Sequence, residues 1–117
     1  MIELSRVEIM KIGMPTLTEL SDILDNIKLC SELNLDFLEI NLSLPFEFTD
    51  SLIFEANRLT DKYGIELTFH LPENLDIAQT EPIIRTAYLK YFDTIIELSK
   101  KLNVKLINMH LPCLYHQ

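Results

Sequence analysis

ELTFHL at residues 66–71 and KLINMHL at residues 105–111 finish alike, as His70-Leu71-Pro72 and His110-Leu111-Pro112. Side chains alternate between the two faces of a strand. In the first segment Leu67, Phe69 and Leu71 point one way, opposed by Glu66, Thr68 and His70. In the second, Ile107, Met109 and Leu111 oppose Leu106, Asn108 and His110. FLEINL at 37–42 repeats the pattern, with Leu38, Ile40 and Leu42 against Phe37, Glu39 and Asn41. One parity is apolar; the other turns polar towards the carboxyl end. A fourth segment of strand length, EIMKIGM at 8–14, precedes them, and proline marks the loop after each strand at Pro15, Pro45, Pro72 and Pro112.

Helical periodicity fills the intervals. Leu20, Ile23, Leu24, Ile27, Cys30 and Leu33 follow the spacing of one helix face, with Thr18 as the expected N-cap. Leu52, Ile53, Ala56, Leu59 and Tyr63 form a second stripe, opened near Thr49 or Asp50 and stopped by Gly64. The third helix is expected to be capped by Thr80, with Pro82 in its first turn, where the missing N–H costs nothing. Its stripe is Ile83, Ile84, Ala87, Tyr88, Tyr91, Phe92, Ile95 and Leu98, and Lys100 and Lys101 suit its negative end. Strands alternating with helices make βαβ units, hence a parallel sheet with right-handed crossovers, ordered β1-α1-β2-α2-β3-α3-β4.

A doubly wound sheet covered by helices on both faces wants both parities apolar. One apolar and one polar parity fits a sheet with helices on one side, curving around a polar interior, as in a barrel segment. The chain reads Gly13-Met14-Pro15-Thr16 after β1, so the glycine fingerprint of a dinucleotide-binding unit is missing. The 117 residues are too few for a complete (β/α)8 barrel, which takes about 250. The expected fold is α/β, a partial (β/α)8 TIM barrel of four parallel strands and three helices. Residues 1–117 form a single half-barrel domain, with 1–9 as a lead and 10–117 as βα units.

Eighteen acidic and ten basic side chains give a net charge of −8, which repels phosphate and weighs against nucleic acid and anionic membranes. No apolar run approaches the roughly 18 residues of a membrane span. Two cysteines, Cys30 and Cys113, are too few for a disulfide-stapled domain, so the expected location is cytoplasmic.

Glu39, Asn41, His70, Asn108 and His110 share the polar parity and sit at or near the carboxyl ends of neighbouring strands. They converge on the rim where barrel enzymes keep their active sites. His70 and His110 offer two imidazoles to one divalent cation. A catalytic zinc site usually takes three protein ligands, so a further one comes from Glu39, Glu73, Cys113, His116 or residues elsewhere. A buried carboxylate is costly alone; Glu39 is therefore paired with Lys11 or a histidine, or serves in catalysis.

MKIGMPTL (10–17), LDFLEINL (35–42), ELTFHLPENLDIA (66–78) and VKLINMHLP (104–112) together resemble the first half of the xylose isomerase-like TIM barrels. That superfamily holds sugar phosphate isomerases and epimerases and endonuclease IV. In its endonuclease branch the histidines ending the third and fourth strands bind zinc; in its isomerase and epimerase branch they tend to contact substrate. The resemblance implies a metal or substrate role for His70 and His110. It also implies metal-assisted proton transfer on a sugar or sugar phosphate, while assigning no single role to Glu39. The expected site has Glu39 as the catalytic carboxylate, Asn41 and Asn108 as substrate contacts and Zn, Mn, Co or Mg as cofactor. The alternatives are a metal-dependent phosphodiesterase like endonuclease IV, or a non-catalytic half-barrel that binds a ligand or self-assembles. Free edges on β1 and β4 invite association, and a homodimer closing a barrel is one expected partner arrangement.

Overall fold

The computed structural model describes residues 10–44 and 46–110. Along the chain run β1 (Gly13–Pro15), α1 (Ile23–Glu32), β2 (Phe37–Asn41), α2 (Asp50–Tyr63), β3 (Glu66–His70), α3 (Pro82–Lys101) and β4 (Leu106–Asn108). All pairings are parallel, and the sheet order is β1-β2-β3-β4. The expected α/β architecture of four parallel strands and three helices is the one observed, and the sheet is open.

Strand parity decides where the core lies. Leu38, Ile40, Leu67, Phe69 and Leu71 are at most 1% exposed and pack with Ile23, Ile27 and Cys30 of α1, Ala56 and Leu59 of α2, and Ile95 of α3. All three helices therefore share one face of the sheet. The opposite face carries Glu39, Thr68 and His70.

Each helix ends by the same device. Asn34, Gly64 and Asn103 adopt φ of 56°, 67° and 53°, the left-handed region that asparagine tolerates and glycine enters freely. The next residue's N–H returns five positions, from Leu35 to Cys30 O, Ile65 to Thr60 O and Val104 to Ser99 O. This satisfies carbonyls the helix end would orphan and plants an apolar residue against the core. The chain then enters β2, β3 or β4 within three residues.

Some boundaries differ from the sequence reading. Helix α1 starts after Asp22, whose Oδ1 accepts from the Leu24 N–H at 2.9 Å. The hydroxyl of Thr18, the expected cap, instead donates to Glu19 at 3.4 Å. Residues 17–20 are drawn into a turn, closed by Leu20 N–H on Leu17 O and anchored where Leu17 N–H meets Asn26 Oδ1 at 2.8 Å. Thr80 does not cap α3; Glu81 occupies that position and makes no side-chain cap, with Pro82 beginning the helix. Thr49 does cap α2, accepting from Leu52 N–H at 3.1 Å.

Ile83 and Ile84 do not join the buried stripe: they are 79% and 45% exposed, and the packing of α3 falls on Tyr88, Tyr91, Phe92, Ile95 and Leu98 instead. Tyr63 and Leu33 are also largely exposed at helix ends. Strand β1 begins later and β4 is shorter than expected. Each is an edge with a single neighbour to hold it, although Lys105 N–H to Leu67 O and Leu71 N–H to Asn108 O extend the β3–β4 ladder. The 1–9 lead and the segment Leu111–Gln117, with Cys113 and His116, lie outside the described residues.

Gly13 lies level with Phe37 in the parallel β1–β2 pair. A Cβ at this position would come within 2.4 Å of the Phe37 ring, so the close approach of the two strands requires glycine.

Candidate functional site

Register puts Asn41, His70 and Asn108 level across β2, β3 and β4, with Glu39, Thr68 and Leu106 one pleat lower. His110 follows Asn108 by two residues and shares its parity. Glu39 therefore points to the same side as both histidines, just beneath them.

The side chains meet. His70 Nδ1 lies 3.3 Å from Glu39 Oε1, and Asn108 Nδ2 donates to Glu39 Oε2 at 2.9 Å. On the far side of the ring, His70 Nε2 stands 3.0 Å from His110 Nε2, the ring centroids 5.0 Å apart. Glu39 and His70 keep 27% and 30% side-chain exposure, so the pair is sheltered yet reachable. Glu73, in the loop after β3, approaches His110 Nε2 only to 3.9 Å and is 82% exposed.

Of the expected site residues, Glu39, His70, Asn108 and His110 come together. Asn41 is level with them, but its Oδ1 accepts from Ser43 N–H at 2.9 Å and so shapes its own loop. Lys11 is not the partner of Glu39. It binds Glu66 at 2.7 Å at the other end of β3, both groups well exposed, and this contact raises the lysine's pKa. The histidine alternative is the one the fold realises.

Two threonines were not expected at the site. Thr16, 6% exposed, accepts from Asn41 N–H through Oγ1 at 3.1 Å, while its own N–H donates to Glu39 O at 2.9 Å. It ties the end of β1 to the strand bearing Glu39. Thr68 is 7% exposed and its Oγ1 has no hydrogen-bond partner among the described residues. It lies on the inner face beside Glu39. The parity of ELTFHL places Thr68 with His70, but an unpartnered hydroxyl is a property of packing that no spacing carries.

The donor chemistry has a metal-like half. Two imidazole nitrogens face one another, and one ring is backed by a carboxylate, the arrangement that commonly supports a ligating histidine. Imidazole suits Zn or Co better than Mg or Mn, which favour oxygen ligands. Among the described residues no group of three or more His, Cys, Asp or Glu gathers to hold a metal. His70 and His110 are thus at most part of a ligand set. No helix among the described residues is long and apolar enough to cross a membrane.

Sequential parallel strands, helices on one face and a polar rim at the strand ends define a partial (β/α)8 barrel. The solved structures it is similar to include two epimerases. One is a D-psicose 3-epimerase in the presence of D-fructose, with TM-score 0.72 and 17% identity over 86% of this chain. The other is a D-psicose 3-epimerase with D-tagatose from Clostridium cellulolyticum H10, with TM-score 0.70 and 25% identity over 86% of this chain. This chain covers 37% of each of those structures. No protein-family description matches it, and neither does any curated protein.

Proposed function

We propose that this chain forms the N-terminal part of an epimerase or isomerase acting on a ketose sugar or sugar phosphate by metal-assisted proton transfer. The observation that carries the reading is the Glu39–His70–His110–Asn108 cluster, standing at the strand ends of a fold shared with two sugar epimerases. In this reading His70 and His110 hold a divalent cation, with the remaining ligands supplied from beyond the described residues. Such a cation polarises the carbonyl and hydroxyl oxygens of a sugar. Asn108 and Asn41 offer amides to sugar hydroxyls from neighbouring strands. Glu39, the expected catalytic carboxylate, has one oxygen beside His70 and the other on the Asn108 amide, and in this reading it acts through His70.

Among the described residues β1 and β4 each have a single neighbouring strand, so the reading places the working site in a closed barrel. Two copies of this four-stranded sheet supply the eight strands that closure needs. Light scattering on the purified chain tests that arrangement: a stable monomer overturns a homodimer.

The test of the function begins with metal content after purification without chelator. At least half an equivalent of Zn, Mn or Co per chain is expected, roughly the level a resident catalytic metal requires, with loss of binding in His70→Ala and His110→Ala. Ketoses including D-fructose and D-tagatose, incubated with the protein in D2O, are expected to gain deuterium at the carbon that changes configuration. Absence of both metal and label, from a barrel completed in length, overturns the proposal.

A further inference from the structure

Glu39 reaches two strands at once. Its Oε1 faces His70 Nδ1 at 3.3 Å and its Oε2 receives the Asn108 amide at 2.9 Å. A carboxylate offers only acceptors, so a neutral His70 beside it carries its hydrogen on Nδ1. The hydrogen bond made by one ring nitrogen fixes the state of the other, and His70 Nε2 is left as a bare lone pair. Rotation of the Glu39 carboxylate away from the ring would break the Asn108 bond as well, so the brace from β4 keeps the selection in place.

We propose that Glu39 is a positioning residue that holds His70 in its Nδ1–H tautomer and so presents a bare Nε2 to the barrel mouth. Asn108 is its brace.

A second consequence fixes His110. Its Nε2 lies 3.0 Å from the bare His70 Nε2, and two lone pairs do not face each other at that distance without a hydrogen or a cation between them. In the metal-free chain His110 therefore carries its hydrogen on Nε2 and donates it to His70. Glu73 at 3.9 Å is beyond hydrogen-bond reach and does not compete. For a cation to bind both rings, His110 must release the Nε2 hydrogen to solvent and take one up on Nδ1, with no net change in protons. His70 needs no rearrangement. The two histidines are thus inequivalent, one preset and one that switches. The cation step rests on the function proposed above; the tautomer assignment does not.

Long-range 1H–15N correlation spectra of the full, metal-free, 15N-labelled chain at about pH 8.5, two units above the ordinary histidine value, report each tautomer directly. His116→Gln removes the third imidazole and simplifies assignment. His70 is expected as Nδ1–H and His110 as Nε2–H; an Nε2–H signal for His70 in the wild type overturns the proposal. In Glu39→Leu, His70 is expected to revert mainly to the Nε2–H form that predominates in free histidine. An unchanged His70 in a folded Glu39→Leu variant also overturns it, and the wild-type spectrum decides even if that variant fails to fold. Zn2+ added to the wild type is expected to convert His110 alone to Nδ1–H, and Glu39→Leu is expected to weaken Zn2+ binding about 10- to 100-fold. A wild type with the stated tautomers that ignores Zn2+ overturns the metal reading and leaves the role of Glu39 standing.

Discussion

Asn26 has no exposed surface and uses every polar atom of its side chain. Oδ1 accepts from Leu17 N–H at 2.8 Å, and Nδ2 donates to Leu20 O at 3.1 Å and Asp22 O at 3.0 Å. It latches the loop after β1 to the first turn of α1. Asn26→Leu removes three bonds and strands buried backbone groups, so a loss of about 3 kcal/mol is expected in urea unfolding; a loss under about 1 kcal/mol would mean that water replaces the latch. Cys30, also fully buried, donates its thiol to Phe37 O at 3.4 Å. Burial first, and the negative Asp36 second, raise its pKa. The folded chain therefore favours the neutral thiol. Stability from this group is complete below the ordinary thiol value, about 8.5, and is lost as pH rises through the raised folded value. Unfolding measured from pH 7 to pH 10 is expected to show wild-type stability falling more steeply than that of Cys30→Ala. Parallel slopes would refute the assignment.

At the scale of elements, one helix end is legible and the starts of helices less so. Gly64 stops the second stripe as expected, while Asn34 and Asn103, which no periodicity singles out, end α1 and α3 in the same left-handed conformation, and each of the three leads into a strand. The N-caps are harder to read, because threonine precedes all three helices and only Thr49 is used. Thr18 loses the role to Asp22 because Asn26, a residue no apolar pattern singles out, pulls residues 17–20 into a separate turn. The β1–β2 pair depends on Gly13 in the same tertiary way. Gly13→Ala drives a methyl group into the Phe37 ring and is expected to cost about 1–3 kcal/mol, as overpacking does. Pairing it with Phe37→Leu should recover part of that loss; equal losses in the single and double variants would show that the ring is not the obstacle.

For the whole molecule, burial is concentrated on β2, β3 and the helix faces against them, and thins towards both edges. Leu106 on β4 is 55% exposed and Ile83 and Leu89 of α3 are 79% and 44% exposed, whereas Ile95 and Leu102 are almost fully buried. Local opening is easiest where few apolar contacts are lost. Hydrogen exchange is therefore expected to be slowest in β2 and β3, and faster over residues 82–89 of α3 than over residues 92–101. Uniform protection along α3 would show that its first turns are held by a neighbour, as association of the open edges would provide.

The sequence by itself determined the class of fold and the face that bears the candidate site, because alternation of period two within strands and 3.6 within helices is local and needs no partner to be read. It placed Glu39, His70, Asn108 and His110 on one parity for the same reason. Only the tertiary structure decided who bonds to whom: that Glu39 meets His70 and Asn108 while Lys11 goes to Glu66, and that Thr68 Oγ1 has no partner among the described residues. Those outcomes depend on the register between strands and on side-chain rotamers, which arise from contacts between segments thirty or more residues apart. Parity gives each strand two faces. Register sets which residues of neighbouring strands lie level, and the rotamers of Glu39 and His70 set which ring nitrogen meets the carboxylate.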